Sequence, residues 1–211
     1  VVQFAITARN LENCNISDIE GQIYTGKQVK PDVEVRDGAK TLVKGTDYDI
    51  EYSNNTEVTT EAGGLAVAKI IGKGNYTGAV DAEFAITPMD ISKLSIEDIP
   101  AQVYAGQAVR PEVTLRNGDV LLVAGVDYSV EYQNNEAVTK TAKAVITGKG
   151  NYKGSVTKTF VITALSIEDA EISGIADTVV YSGEDIEFSG IKVTVNGIQL
   201  ANGTDYTVAY K

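Results

Sequence analysis

GKGNYTGAVDAEFAIT, residues 72–87, returns as GKGNYKGSVTKTFVIT at residues 148–163. A glycine-rich run ahead of an apolar stretch is either a phosphate cradle or a turn, and the two lead to different folds. A phosphate loop needs a helix behind its glycines, because the free amides at the helix amino terminus hold the anion. The residues behind these glycines alternate like a strand instead. Val80, Ala82, Phe84 and Ile86 fall on one side and Asp81 and Glu83 on the other, and Val156, Phe160 and Ile162 take the same places in the second copy. The lysine of GKGNY also stands before the second glycine, whereas a phosphate loop places it after, with Ser or Thr next. The run is read as a tight connection between two strands, with glycine supplying backbone freedom and Tyr76 or Tyr152 packing as a plug.

YTGKQVKPDVEVRDG at Tyr24 matches YAGQAVRPEVTLRNG at Tyr104, and KGTDYDIEYSNN at Lys44 matches AGVDYSVEYQNN at Ala124, both 80 residues on. A four-residue shortening then brings GKGNY and the closing FAIT and FVIT to an offset of 76. A third copy begins near Leu165 with YSG, VTVNG and NGTDYTVAY, while the opening VVQFAIT matches a closing strand. The expected divisions are 1–8 as the closing strand of a preceding repeat, 9–88 and 89–163 as two whole repeats, and 164–211 as a partial third.

Each copy reads as strands. Tyr48, Ile50 and Tyr52 share one face, with Asp49 and Glu51 on the other; Tyr128, Val130 and Tyr132 repeat this, as do Tyr206, Val208 and Tyr210. Asp37-Gly38, Asn117-Gly118 and Asn196-Gly197 sit where two-residue hairpins are expected. Pro31 and Pro111, lacking an amide donor, suit a strand start or sheet edge.

Composition narrows the function. With no histidine and one cysteine, Cys14, neither Ser-His-Asp nor Cys-His catalysis nor a histidine zinc site is available, and no internal disulfide forms. Cys14 is expected to be buried or incidental. The net charge of −11 disfavours nucleic acid and anionic membrane surfaces as partners. The acidity is uneven: residues 91–163 carry 8 Lys and Arg against 7 Asp and Glu, and both flanks are acidic. No apolar run approaches the roughly 20 residues that span a bilayer, and no basic-then-apolar leader opens the sequence, so no membrane insertion is expected of this segment.

Several residues invite sharper readings. Asp47, Asp127 and Asp205 each recur two residues after a Gly and just before a strand, where they either cap a turn or join a calcium loop. The tyrosines, 11 in all with no tryptophan, either fill equivalent core places, as at Tyr24, Tyr104 and Tyr181, or stack weak sugar or protein ligands in series. No carboxylate pair stands out as a glycosidase couple. Lys73 and Asn75 lie too close in sequence for a cross-strand isopeptide bond, and the sequons at Asn15, Asn54, Asn75 and Asn202 are read as chance. The resulting expectation is no catalytic residue, no metal, no cofactor and no nameable binding residue.

The G-x-D-Y-x-V-x-Y-x-N-N run, the G-K-G-N-Y-x-G turn and the closing F-x-I-T strand together resemble the Ig-like repeats of bacterial cell-surface proteins, of the kind found in Firmicutes. That resemblance spans two whole copies and part of a third. It implies all-β, tandem Ig-like sandwich units in an elongated array with the last unit truncated. It further implies an exported, extracellular location at the cell surface or wall and a role as spacer or stalk. Neighbouring repeats would be its partners, with a host glycoprotein, an immunoglobulin or a polysaccharide as ligand in the alternative of a true binding module.

Overall fold

The computed structural model describes residues 2–210, and their regular secondary structure is almost all strand. The helical segments among them are two three-residue 3-10 turns, Leu11–Asn13 and Ile91–Lys93. None is long and apolar enough to cross a membrane.

In the first copy, the tyrosine strand Tyr48–Ser53, a central strand Ala66–Gly72 and a closing strand Ala79–Phe84 form an antiparallel sheet, with Tyr48 opposite Gly72 and Ala66 opposite Phe84. The chain continues into Ile86–Thr87, which runs parallel to Gln22–Ile23. A second antiparallel sheet joins Asn15–Ile16, Val35–Asp37 and Lys40–Thr41. Period-two alternation drives the burial: Ala66, Ala68 and Ile70 of the central strand are buried with Phe84 and Ile86, against Leu11, Val33, Val35 and Tyr48. Cys14 packs on the edge of this core.

The second copy repeats the pattern. Gln102–Val103, Ser155–Thr163, Thr139–Gly148 and Tyr128–Gln133 lie in that order in one sheet, and Ser95–Ile96, Leu115–Asn117 and Val120–Leu121 form the other. Its central strand has ten residues against seven. Around TTEAGG the first copy carries its four extra residues, and this stretch is folded into a loop by Asn54 Nδ2 donating to the carbonyls of Gly63, Gly64 and Leu65. By internal contacts the chain falls into two compact units. One comprises residues 1–98, 113–131 and 145–158, the other 99–112, 132–144 and 159–211. The sequence copies, with expected bounds at 88 and 163, and the compact units thus divide the chain differently.

Four expectations are corrected. The third copy keeps only the small sheet, Glu171–Ser173 with Lys192–Val195 and Ile198–Gln199, and Tyr206–Tyr210 is not a strand. Its counterparts pair with central strands, whose equivalent this sequence does not carry; an unpaired extended segment gains no ladder bonds. Residues 2–7 likewise form no strand. Pro31 and Pro111 lie in the irregular stretch before Val35 and Leu115, and their carbonyls accept the hydroxyls of Tyr52 and Tyr132.

The hairpins also shift. Asp37 pairs with Lys40 and Asn117 with Val120, so the turn residues are Gly38-Ala39 and Gly118-Asp119, one step beyond the expected pairs. In the third copy Val195 pairs with Ile198, leaving Asn196-Gly197 in the turn as expected. Gly38 and Gly118 take φ 58° alone, whereas Asn196 and Gly197 both take positive φ, 51° and 78°. These are the one-positive and two-positive signatures of the two favoured hairpin turns, so different residues satisfy the same two-residue loop.

Candidate functional site

The recurring Asp residues close their own turns. Asp47, Asp127 and Asp205 each accept from the backbone amide four residues earlier, at Val43, Val123 and Ala201, at 3.0, 2.8 and 2.8 Å. Their carboxylates are thereby committed to the loop that launches the tyrosine strand. Among the described residues, no three Asp, Glu, Cys or His side chains converge as a metal site would require.

The tyrosine strand is fastened by its hydroxyls. Tyr48, Tyr128 and Tyr206 donate to the carbonyls fifteen residues earlier, Val33, Val113 and Ile191, at 2.9, 2.6 and 3.2 Å. Tyr210 donates to the carbonyl of Phe188, 22 residues earlier, at 3.0 Å. The Asn-Asn just beyond the strand is a clamp that sequence reasoning missed. Asn54 and Asn134 turn the chain at φ 51° and 52°, and buried Asn55 exchanges two bonds with Val29: its side-chain amide donates to the Val29 carbonyl, and its own carbonyl accepts the Val29 amide, both at 2.8 Å. Asn135 and Val109 repeat the exchange. The doubled Asn at 54–55 and 134–135 was the available signal, since Asn tolerates left-handed backbone.

GKGNY is a turn. Gly72 donates to Gly78 and Gly148 to Gly154 across the loop, strands come after both, and Tyr76 and Tyr152 are buried plugs. The Lys73 ammonium goes to Asp49, at 3.1 Å.

The second turn also receives the preceding copy. Tyr24 meets Tyr152 edge-to-face, with ring centroids 5.5 Å apart. The Asn151 side chain accepts from Val58 N at 2.9 Å and donates to Glu57. Tyr24 thus serves contact between copies as well as its own core, while Tyr181, expected at the same core place, is exposed.

Burial pushes the Tyr24 phenol up to about 12 from 10.0, with Tyr152, then Glu57 and Asp127, adding to it. For an acid raised this way, the stabilisation is fully present below pH 10 and is lost as pH rises toward 12. A Tyr24→Phe chain is expected to lose less stability than the parent across that window in chemical melts at stepped pH. Parallel losses would remove Tyr24 as the cause.

The second compact unit holds a cleft of about 530 Å³ lined by Tyr104, Gly106, Val138, Leu165, Ile198 and Asp205 among others. Tyr104, Gly106 and Val138 are the counterparts of Tyr24, Gly26 and Val58. In the first unit those residues are met by Tyr152, Asn117 and Asn151 of the following copy. The cleft is the same surface without the turn that fills it. In comparisons with known proteins, no family model, curated protein or solved structure matches the chain.

Proposed function

We propose that this chain is a non-catalytic segment of an exported bacterial surface protein, a stalk of tandem Ig-like units that holds a distal module away from the cell wall and contributes to adhesion. The observation that carries this reading is the joint at Tyr24 and Tyr152, where the turn of one copy is a socket for the copy before it. A spacer needs such a joint and an isolated binding domain does not. The recurring Asp, Tyr and Asn residues support it further, because each is used to fasten backbone.

The cleft beside Tyr104 favours a second reading, a binding module for a host glycoprotein, an immunoglobulin or a polysaccharide. An array of glycans and serum proteins separates the two. A stalk gives no saturable binding at micromolar chain, whereas saturable binding lost in Tyr104→Ala would establish the binding module and overturn the stalk reading.

A further inference from the structure

The free edge of the second copy's small sheet differs from its counterparts. Val120–Leu121 is the last strand of that sheet, beyond Leu115–Asn117, and from there to Asp127 the sequence runs VLLVAGVD. Val120, Leu121, Val123 and Val126 stand 46%, 53%, 56% and 66% exposed. Counted back from Asp47 and Asp205, the same places hold Lys40, Thr41, Val43 and Thr46 in the first copy and Ile198, Gln199, Ala201 and Thr204 in the third. Of the three edges, only the second is apolar throughout. A lysine on a free edge strand guards it against pairing with another chain, and Val120 stands where the first copy has Lys40.

The main chain of this edge is also placed to pair. Leu122 N donates to Leu115 O, and in an antiparallel ladder successive residues turn their amides and carbonyls to opposite sides. Leu121 N and Leu121 O therefore face away from the sheet, where no further strand lies among the described residues. The flanking positions are occupied otherwise: Val123 N donates to the Asp127 carboxylate at 2.8 Å, and Asp119 lies in the hairpin turn.

Charge selects the occupant. The chain carries −11 in all, but residues 91–163 carry 8 Lys and Arg against 7 Asp and Glu. Two like chains meet with least repulsion over this stretch, whereas a basic partner is drawn to the acidic flanks instead. One outward donor and one outward acceptor on the same residue are self-complementary about a two-fold axis, as a contact between identical surfaces requires.

We propose that the second copy's edge pairs with the same edge of another molecule of this chain, antiparallel, with Leu121 opposite Leu121. Each Leu121 N donates to the other Leu121 O, and Val120 comes opposite Leu122. Arg116 already lies opposite Leu121 within each sheet, so two three-stranded sheets join into one of six strands with the paired leucines at its middle. Main-chain bonds supply the pairing and the apolar side chains the fit, which is how an added strand is recognised. Each edge is used up by its partner, so assembly stops at the dimer. The pairing serves a stalk and a binding module alike.

Sedimentation velocity of the chain, from the low micromolar range to near millimolar, is the test. A dimer that grows with concentration and goes no further is expected. Val120→Lys with Leu121→Thr writes the first copy's edge into the second, and Leu121→Gln writes in the third copy's residue, so both variants carry side chains this edge already accommodates. Each is expected to weaken the dimer at least about tenfold, since both leucines of the pair are lost and a buried apolar side chain contributes on the order of one decade in affinity. Amide exchange at Leu121 should slow as the dimer fills, while exchange at Thr41, its first-copy counterpart, stays constant. A parent chain monomeric throughout, steady growth past the dimer, association that both variants leave intact, or Leu121 exchange independent of concentration would each overturn the proposal.

Discussion

Phe84→Ala is expected to cost the first copy about 3–5 kcal/mol, the range for truncating a fully buried aromatic side chain. Phe84 is 2% exposed and lies opposite Ala66, itself buried, in a core whose small central-strand residues leave little to collapse into the vacancy. Amide exchange along Ala66–Gly72 should quicken by roughly two to three orders of magnitude, or by as much as the local stability allows. Phe4→Ala alters the same letter of the same motif and should change exchange at those amides by less than about threefold, because an exposed substitution moves stability by no more than about 0.5 kcal/mol. Equal effects at the two positions would mean that the closing-strand equivalence is wrong.

A valine at Gly72 or Gly148 should be as damaging or more so, and for a reason that conformational freedom does not supply. Neither residue has positive φ. A Cβ at Gly72 would stand 2.6 Å from Thr77 N, and at Gly148 2.8 Å from Lys153 N and 2.9 Å from Ile91 Cγ2. Backbone must therefore move. Gly74 and Gly150 take φ 64° and 60°, and a Cβ there comes no nearer than 3.2 Å and 4.0 Å to a neighbour. Their replacement costs backbone strain of about 1 kcal/mol or more. The expected order in urea melts is Gly72→Val worse than Gly74→Val, and Gly148→Val worse than Gly150→Val. The reverse order would show the loop to be held by dihedral preference rather than by close approach.

What was legible in the sequence was periodic. Alternation at Val80, Ala82, Phe84 and Ile86 announced a half-buried strand because burial has the same period as the pleat. The Asp before each Tyr announced a capped turn because its bond reaches only four residues. What was not legible depended on partners distant in the chain. DYTVAY has the same pattern as DYDIEY, yet only the latter has a central strand to pair with. The hairpin shift came from pairing register, which Asp37-Gly38 does not itself determine. The socket for Tyr24 joins residues from two copies, and no spacing in the chain specifies it. Asn55 was visible as a repeated letter, but its exchange with Val29 was not.

The parallel pairing of Gln22–Ile23 with Ile86–Thr87 has a mechanical consequence. One strand lies near the start of the copy and the other at its end, so tension along the chain draws the first back and the second forward along a common axis. The load is shear. The bonds Gln22 N to Ala85 O, Tyr24 N to Thr87 O and Thr87 Oγ1 to Gln22 O, at 2.8, 2.9 and 3.0 Å, share it together, where a hairpin pulled open at one end would surrender its bonds singly. Thr163 Oγ1 to Gln102 O, at 3.1 Å, gives the second copy the same hydroxyl pin, and the threonine that ends FAIT at 84–87 and FVIT at 160–163 is thereby a fastener against stretching.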